Sequence, residues 1–347
     1  MLGEYTIYIK RRNLEYKLTL KNKITIILGE SGTGKSGIIR SINDAARGAK
    51  IIVESSVPLN TSLSSNRHMD RAINALDNMD NEICLLDEDT EYLYRTEFQE
   101  AISKSKAYFL VIARSPLKGL NYSPDDIYEL ETVNNVTTLK PYYKYKCSKV
   151  TPNFIITEDS NSGYQFFNNI DPTHTKIIPA DGRDNVVKRA ISVKNEYIKS
   201  NVMIIADGAG FGSAIDLYMS SAFLKGIELY IPPSFEYILL QSLHFERIRN
   251  KLNNIFKNEC KYIDSSYASR EEFYTKLLED ITSEYFGERY KYKKDRLLKC
   301  FYSGCCAYGK TKCNGAITND KNNMEHLLSI MPIDFSEICN NNIQTKE

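Results

Sequence analysis

The stretch Gly29-Glu30-Ser31-Gly32-Thr33-Gly34-Lys35-Ser36 decides the fold of the first half of this chain. It matches the pattern G-x-x-x-x-G-K-[ST] at every fixed position, with an apolar run at 24–28 before it and a helical pattern at 37–42 after it. A loop between a strand and a helix places backbone N–H groups and the positive helix end around phosphate oxygens. We therefore predict a nucleoside-triphosphate site in which Lys35 reaches the β- and γ-phosphates and Ser36 binds Mg²⁺. An ordinary Gly-rich turn is the alternative.

The composition is that of an ordinary globular protein. The chain has 347 residues, of which 42% are hydrophobic and 26% are charged, and its net charge is +1. This length is enough for two domains, and the balanced charge means that any nucleic-acid contact must come from a local patch. We expect a soluble, cytoplasmic protein, because no apolar run approaches the roughly 18 residues of a membrane span. The eight cysteines are then interpreted as thiols or metal ligands rather than disulfides.

Patterns on both sides of the loop predict the rest of an α/β domain. Apolar and polar residues alternate over 4–10 and 14–20, which predicts a β-hairpin before the core strand. The remaining predicted elements are helix 35–47, strand 50–54, loop 55–65, helix 66–76, strand 82–86, helix 91–103, strand 107–113 and antiparallel strands 125–130 and 134–140.

Two acidic residues, Asp87 and Glu88, end the apolar run 82–86. In a nucleotide site, such an aspartate binds the Mg²⁺ shell and the following glutamate orients or deprotonates the attacking water. The alternative is an acidic helix start, which the helix dipole favours. Downstream of a phosphate loop we favour the functional interpretation, with Glu88 and Lys35 as catalytic residues.

The next apolar run ends at Arg114. A polar side chain at the tip of a strand beside the acidic strand is well placed to sense the γ-phosphate. Arg114 is therefore a third candidate catalytic residue, with an ordinary surface arginine as the alternative.

The hairpin, the phosphate loop, the Asp87-Glu88 pair and the strand before Arg114 together resemble a reduced member of the ABC-type ATPases, of the kind found in recombination-factor-F-like and overcoming-lysogenization-defect (OLD) proteins. The resemblance implies ATP and Mg²⁺ as ligands, and we expect a homo-oligomer or a partner protein. The chain departs from that family in its short segment between loop and acidic strand and in the lack of a Leu-Ser-Gly-Gly-Gln-like signature.

A second α/β pattern begins after the Tyr- and Lys-rich segment 139–153, where we place a domain boundary. Predicted strands at 154–158, 176–182, 201–207 and 226–231 alternate with predicted helices at 159–169, 185–200, after 212 and from 232 onward. This alternation predicts a mostly parallel sheet, which binds ligands at the carboxyl ends of its strands. Glu158, Asp207 and Glu236 fall there, where they could hold a second Mg²⁺ for phosphodiester chemistry. A plain α/β domain with solvated carboxylates is the alternative.

These carboxylates and the segment 178–186 resemble a Toprim domain, as in OLD-type nucleases, primases and topoisomerases. The resemblance implies that the second domain acts on or binds DNA or RNA. Where Toprim domains have Asp-x-Asp, this chain has Asp207-Gly208-Ala209, so the resemblance supports the fold more than nuclease activity.

The last part of the chain is predicted to be helical and charged, with a basic stretch at 288–299 that could contact nucleic acid or lie on a solvated helix face. A cysteine cluster follows it, comprising Cys300, Cys305, Cys306 and Cys313. Four thiolates could bind a structural Zn²⁺, with buried or redox-active thiols as the alternative.

Three regions are therefore expected: a P-loop ATPase domain at 1–145, a Toprim-like α/β domain at 150–245, and a helical tail with the cysteine cluster at 246–347. The expected function is ATP binding and hydrolysis that controls a Toprim-like domain acting on nucleic acid, in phage defence or a mobile element. The alternatives are a nucleotide-gated scaffold with an inactive second domain and a small-molecule kinase that uses the same loop.

Overall fold

The computed structural model describes residues 3–29, 34–65, 68–144, 147–160, 162–170, 175–242, 248–288, 291–293 and 331–332. The chain divides into two compact units. Unit 1 comprises Met1–Lys144 and Asn254–Ser269, and unit 2 comprises Tyr145–Asn253 and Arg270–Glu347.

In unit 1, strands precede the phosphate loop, and helices and further strands follow it. Its strands are β1 (Tyr5–Arg11), β2 (Leu14–Leu20), β3 (Ile24–Ile27), β4 (Ile52–Ser55), β5 (Leu59–Asn60), β6 (Asp80–Leu86), β7 (Lys106–Ile112), β8 (Ile127–Val133) and β9 (Val136–Pro141). Its helices are α1 (Lys35–Ala46), α2 (Met69–Leu76) and α3 (Thr96–Lys104), with 3₁₀ turns at Ser62–Ser65, Pro124–Asp126 and Glu259–Lys261.

One large sheet organises unit 1. Among the described residues its nine strands have the order β4-β1-β2-β9-β8-β3-β7-β6-β5. The segment from β8 through β3, β7 and β6 to β5 is parallel, and β3 is buried at every position. Consecutive buried apolar residues are typical of parallel strands covered on both faces. The loop strand β3 and the acidic strand β6 therefore end at the same edge of the sheet, with β7 between them.

Antiparallel pairs extend this sheet on the other side. β1 pairs with β2 and β4, and β8 pairs with β9. The β8–β9 hairpin turns at Asn134 and Asn135, whose φ angles are 49° and 63°. Asparagine tolerates this left-handed backbone, which a two-residue type I′ hairpin turn requires. The predicted hairpins at both ends of unit 1 are thus present.

Two predictions for unit 1 are wrong in detail. The predicted loop 55–65 contains β5, which pairs in parallel with β6. Helix α3 begins at Thr96 rather than at residue 91, because the residues before it form successive turns. In these turns the Thr90 N–H donates to the Asp87 carbonyl at 3.0 Å and the Leu93 N–H donates to the Thr90 carbonyl at 3.0 Å. The buried Tyr92 hydroxyl also donates to the Leu63 carbonyl at 2.8 Å, which ties these turns to another segment.

Unit 2 contains the second sheet. Its strands are β10 (Phe154–Thr157), β11 (Lys176–Pro179), β12 (Val202–Ile205) and β13 (Glu228–Tyr230), in the order β11-β10-β12-β13 and all parallel within the described residues. The helices after β9 are α4 (Ser162–Ile170), α5 (Arg183–Glu196), α6 (Ile215–Leu217), α7 (Phe235–Ser242), α8 (Arg249–Lys257) and α9 (Arg270–Phe286). The mixed α/β class and the parallel second sheet agree with the sequence prediction.

Two further predictions need correction. The helix expected after Gly212 is broken into α6, a π-helical turn at Tyr218–Ala222 and a 3₁₀ turn at Phe223–Lys225. The described part of the predicted helical region 246–347 contains α8 and α9, separated by turns around Glu259–Lys261. Within the described part of the chain, no helix is both long enough and apolar enough to cross a bilayer.

Candidate functional site

The phosphate loop joins β3 to α1, and the structure describes its two ends. Gly29 has φ 139° and Gly34 has φ 87°, backbone conformations that favour glycine. Helix α1 begins directly after Gly34, so its free N–H groups lie at the loop. Residues Glu30, Ser31, Gly32 and Thr33 lie outside the described residues.

The side chain of Lys35 closes this segment. It is 4% exposed, and its ammonium donates a hydrogen bond to the carbonyl of Gly29. The lysine therefore reaches back from the first turn of α1 to the start of the loop. Ser36, the next residue, is exposed.

The acidic pair Asp87-Glu88 follows the last residue of β6. Asp87 is held by Ser64, whose hydroxyl oxygen accepts from the Asp87 N–H at 3.1 Å and donates to the Leu85 carbonyl at 2.9 Å. The Asp87 carboxylate accepts from the Glu88 N–H at 2.8 Å. Sequence reasoning missed Ser64, because it lies in a Ser- and Asn-rich segment that was predicted as a loop.

Electrostatics connect the acidic pair to the loop. Burial raises the pKa of Asp87, and the neighbouring carboxylates of Asp89 and Glu88 raise it further, while the positive charge of Lys35 lowers it. Because β3 and β6 end at the same edge of the sheet, Lys35 and Asp87 both lie at that edge. A bound divalent cation would favour the charged form of Asp87.

Arg114 follows β7, the strand between β3 and β6, and its side chain contacts the acidic residues after β6. Its guanidinium is 3.3 Å from Oε1 of Glu88 and 3.8 Å from Asp89, and its backbone N–H donates to the Tyr94 hydroxyl oxygen at 3.2 Å. The Arg114 side chain is 66% exposed, whereas that of Glu88 is 12% exposed. The three candidate catalytic residues, Lys35, Glu88 and Arg114, are therefore at one edge of one sheet.

Unit 2 brings its predicted carboxylates together in the same way. Glu158 and Asp207 follow the neighbouring strands β10 and β12, and Oε2 of Glu158 accepts from the Asp207 N–H at 3.2 Å. Burial raises the pKa of Glu158, while that same hydrogen bond and the charge of Arg183 lower it. Arg183 in turn donates to the Gly210 carbonyl at 3.0 Å.

Two glutamates add to the field at Asp207. Burial raises the pKa of Asp207 well above its usual value, and Glu271 and then Glu236 raise it further. Glu236 is 2% exposed and accepts from the Tyr292 hydroxyl at 2.9 Å. Glu271 lies in the first turn of α9, and sequence reasoning missed it because nothing in a charged helical pattern singles out one glutamate.

Gly208 and Ala209, which stand where a Toprim domain has the last two residues of Asp-x-Asp, are closely packed. A Cβ on Gly208 would lie 2.4 Å from the carbonyl oxygen of Pro232 and 2.8 Å from that of Ile231, and the Gly208 N–H donates to the Pro232 carbonyl at 2.8 Å. Ala209, in the place of the second aspartate, is 4% exposed. The chain after β12 is therefore packed closely against the chain after β13.

The predicted metal sites, two for Mg²⁺ and one for Zn²⁺, stay predictions. Among the described residues, no group of three or more His, Cys, Asp or Glu side chains is arranged to hold a metal ion. Cys300, Cys305, Cys306 and Cys313 lie outside the described residues, so the predicted zinc cluster remains a prediction. Tyr292, in the basic stretch, is fully buried, so its ring is not available to stack on a base.

Comparison with known protein families, with curated proteins and with solved structures finds no match to this chain.

Proposed function

We propose that unit 1 binds and hydrolyses ATP. The observation that carries this proposal is the placement of Lys35 and Asp87 at the same edge of one parallel sheet, since a loop lysine near a strand-end aspartate is the arrangement that holds a nucleotide and its cation. The G-x-x-x-x-G-K-[ST] pattern and the start of α1 at Lys35 support it independently.

The residues at this edge divide the chemistry among them. The loop N–H groups and Lys35 would bind the phosphates, and Ser36 and Asp87 would bind Mg²⁺, which supplies charge neutralisation when it is present. Hydroxyl and carboxylate oxygens are the ligands that Mg²⁺ prefers. Glu88 would orient the attacking water and accept its proton.

The contact between Arg114 and Glu88 has a consequence for this mechanism. Oε1 of Glu88 lies 3.3 Å from the guanidinium, so in this structure that oxygen accepts from the Arg114 side chain. The exposure of Arg114 gives it room to turn toward an incoming γ-phosphate. Such a movement would release Glu88 and place a positive charge where negative charge develops during phosphoryl transfer.

We propose that ATP binding and hydrolysis in unit 1 control the activity or the binding of unit 2. The support for this proposal is the hydrogen bond between Glu158 and Asp207 at the carboxyl ends of neighbouring parallel strands, where α/β proteins bind their ligands, together with the effect of Glu236 on the pKa of Asp207. A Toprim-like unit that acts on DNA or RNA with Mg²⁺, in phage defence or a mobile element, is one form of this controlled unit. A nucleotide-gated scaffold with a catalytically inactive second unit is the alternative.

The first experiment compares ATP hydrolysis by the wild type and Glu88→Gln. We expect the variant to retain ATP binding and to lose hydrolysis, because glutamine keeps the shape of the side chain and cannot accept the proton. Undiminished turnover would overturn the assignment of Glu88. Phosphate appearing on an added acceptor instead of in solution would favour a kinase.

A second experiment distinguishes a unit 2 that cleaves nucleic acid from one that is a catalytically inactive scaffold. Mg²⁺-dependent cleavage of DNA or RNA by the wild type that is lost in Asp207→Ala would exclude the scaffold. No cleavage by an ATP-hydrolysing wild type would favour it.

A further inference from the structure

A tyrosine outside the motif contacts the phosphate loop. Tyr16 lies on β2, is 3% exposed, and its hydroxyl donates to the carbonyl of Gly34 at 3.3 Å. Gly34 is the residue directly before α1, and its carbonyl also accepts from the Gly37 N–H at 3.0 Å. Burial raises the pKa of Tyr16, so the phenol keeps its proton and remains a donor at neutral pH.

The same hydroxyl explains a glycine that the motif does not require. Gly37 lies inside α1, where alanine is intrinsically the better residue. A Cβ at Gly37 would lie 2.9 Å from the Tyr16 hydroxyl oxygen and 3.9 Å from the ring carbon that bears it. The hydroxyl alone therefore occupies the space that a side chain at position 37 would need.

Gly34 is constrained by its backbone and also lies next to this phenol. Its φ of 87° favours glycine, and a Cβ there would be at an ordinary contact distance of 3.4 Å from the hydroxyl oxygen. The phenol thus lies against the first turn of α1 at two points, one turn of helix apart. Rotation or translation of α1 relative to β2 would break the hydrogen bond or produce a clash.

We propose that Tyr16 is a positioning residue for the nucleotide: by holding the carbonyl of Gly34 it fixes the first turn of α1, and with it the N–H groups and Lys35 that bind phosphate. This inference rests on the proposed binding of ATP by unit 1. Tyr16 acts through Gly34 and does not take part in the chemical step.

The test measures the affinity for ATP with Mg²⁺ of the wild type, Tyr16→Phe and a control, Tyr218→Phe. The control also removes a buried hydroxyl, which donates to the carbonyl of Ile227 at 2.8 Å. Tyr218 lies in unit 2, away from the phosphate loop in the sequence. We expect Tyr16→Phe to bind ATP about 3- to 10-fold more weakly, the effect of one neutral hydrogen bond. We expect Tyr218→Phe to bind ATP as the wild type does and to hydrolyse it at the same rate.

A double variant tests the geometry without relying on the hydrogen bond. Gly37→Ala in the wild-type background should lower ATP affinity, because the new Cβ meets the hydroxyl. In the Tyr16→Phe background the new Cβ would lie 3.9 Å from the nearest ring carbon, an ordinary contact distance, so Gly37→Ala should lower the affinity for ATP less. Because alanine has the higher helix propensity, the same substitution should there raise the thermal unfolding temperature. A merely structural tyrosine would change the unfolding temperature and leave the affinity unchanged.

Two results would overturn the inference while leaving the proposed function intact. One is equal ATP affinity of the wild type and Tyr16→Phe. The other is a Gly37→Ala effect of the same size in both backgrounds. If the folded wild type does not bind ATP at all, the proposed function fails first and the inference fails with it.

Discussion

Replacing Arg114 by alanine distinguishes a γ-phosphate sensor from a surface ion pair. If Arg114 moves from Glu88 to the nucleotide during the reaction, its loss removes positive charge needed in the transition state. We predict that Arg114→Ala lowers the rate of hydrolysis at saturating ATP by about 10- to 100-fold and changes the affinity for ATP by less than about 3-fold.

The structure limits the effect that this substitution can have on stability. The pair with Glu88 has an N–O separation of 3.3 Å, and the arginine is 66% exposed. Exposed ion pairs of this kind contribute little to stability. We therefore expect the unfolding temperature of Arg114→Ala to stay close to that of the wild type, and a large loss of hydrolysis then cannot result from unfolding.

Phosphate release across a range of ATP concentrations gives the rate at saturating ATP and the apparent affinity for ATP. Thermal unfolding gives the change in stability. Arg71→Ala is the matched control, since Arg71 is an exposed arginine on α2 of the same unit. Faster hydrolysis by Arg114→Ala would show that the arginine restrains Glu88 and does not sense phosphate. Unchanged hydrolysis would show that the ion pair has no role in the reaction.

Two further predictions concern unit 2. Gly208→Ala should lower the free energy of unfolding by about 1–3 kcal/mol in urea, because its Cβ would meet the carbonyl oxygen of Pro232 at 2.4 Å; an unchanged midpoint would contradict this. The raised pKa values of Glu158 and Asp207 mean that the folded state binds more protons than the unfolded state from about pH 4 upward, so these groups reduce stability as pH rises toward their folded pKa values. In urea unfolding, the free energy of unfolding of Asp207→Asn minus that of the wild type should therefore increase from about pH 5 to about pH 7. A difference independent of pH would show that ionisation of Asp207 does not reduce stability.

The elements nearest to the phosphate loop could be predicted because chemistry restricts their residues. A loop that must approach phosphate needs glycines at fixed positions, and downstream of such a loop a buried strand that ends in Asp87-Glu88 favours a functional interpretation. The positions of Lys35 and Asp87 at one edge of the sheet then follow from the rule that parallel strands end together.

Other elements could not be predicted because tertiary contacts determine them. β5 has two residues, too few for any periodicity, and its pairing with β6 makes it a strand. The residues between Asp87 and Thr96 have a helical composition, but the hydrogen bond from Tyr92 to Leu63 favours turns.

Residues that act through a contact were invisible for the same reason. The alternation of β2 shows that Tyr16 faces the core, but it cannot show that the hydroxyl meets Gly34. Glu271 acts on the other carboxylates because α9 packs against α7, the helix that carries Glu236. Tyr292 was predicted to be part of a basic surface, whereas its hydroxyl donates to the buried Glu236.

The central claim is that the loop of unit 1 binds ATP, and calorimetric titration of the wild type and Lys35→Ala with ATP and Mg²⁺ tests it most directly. We predict saturable binding to the wild type and an affinity at least about 10-fold lower for the variant, since the lysine ammonium pairs with the β- and γ-phosphates. A folded wild type that shows no saturable binding, or that binds no more tightly than Lys35→Ala, would contradict the claim.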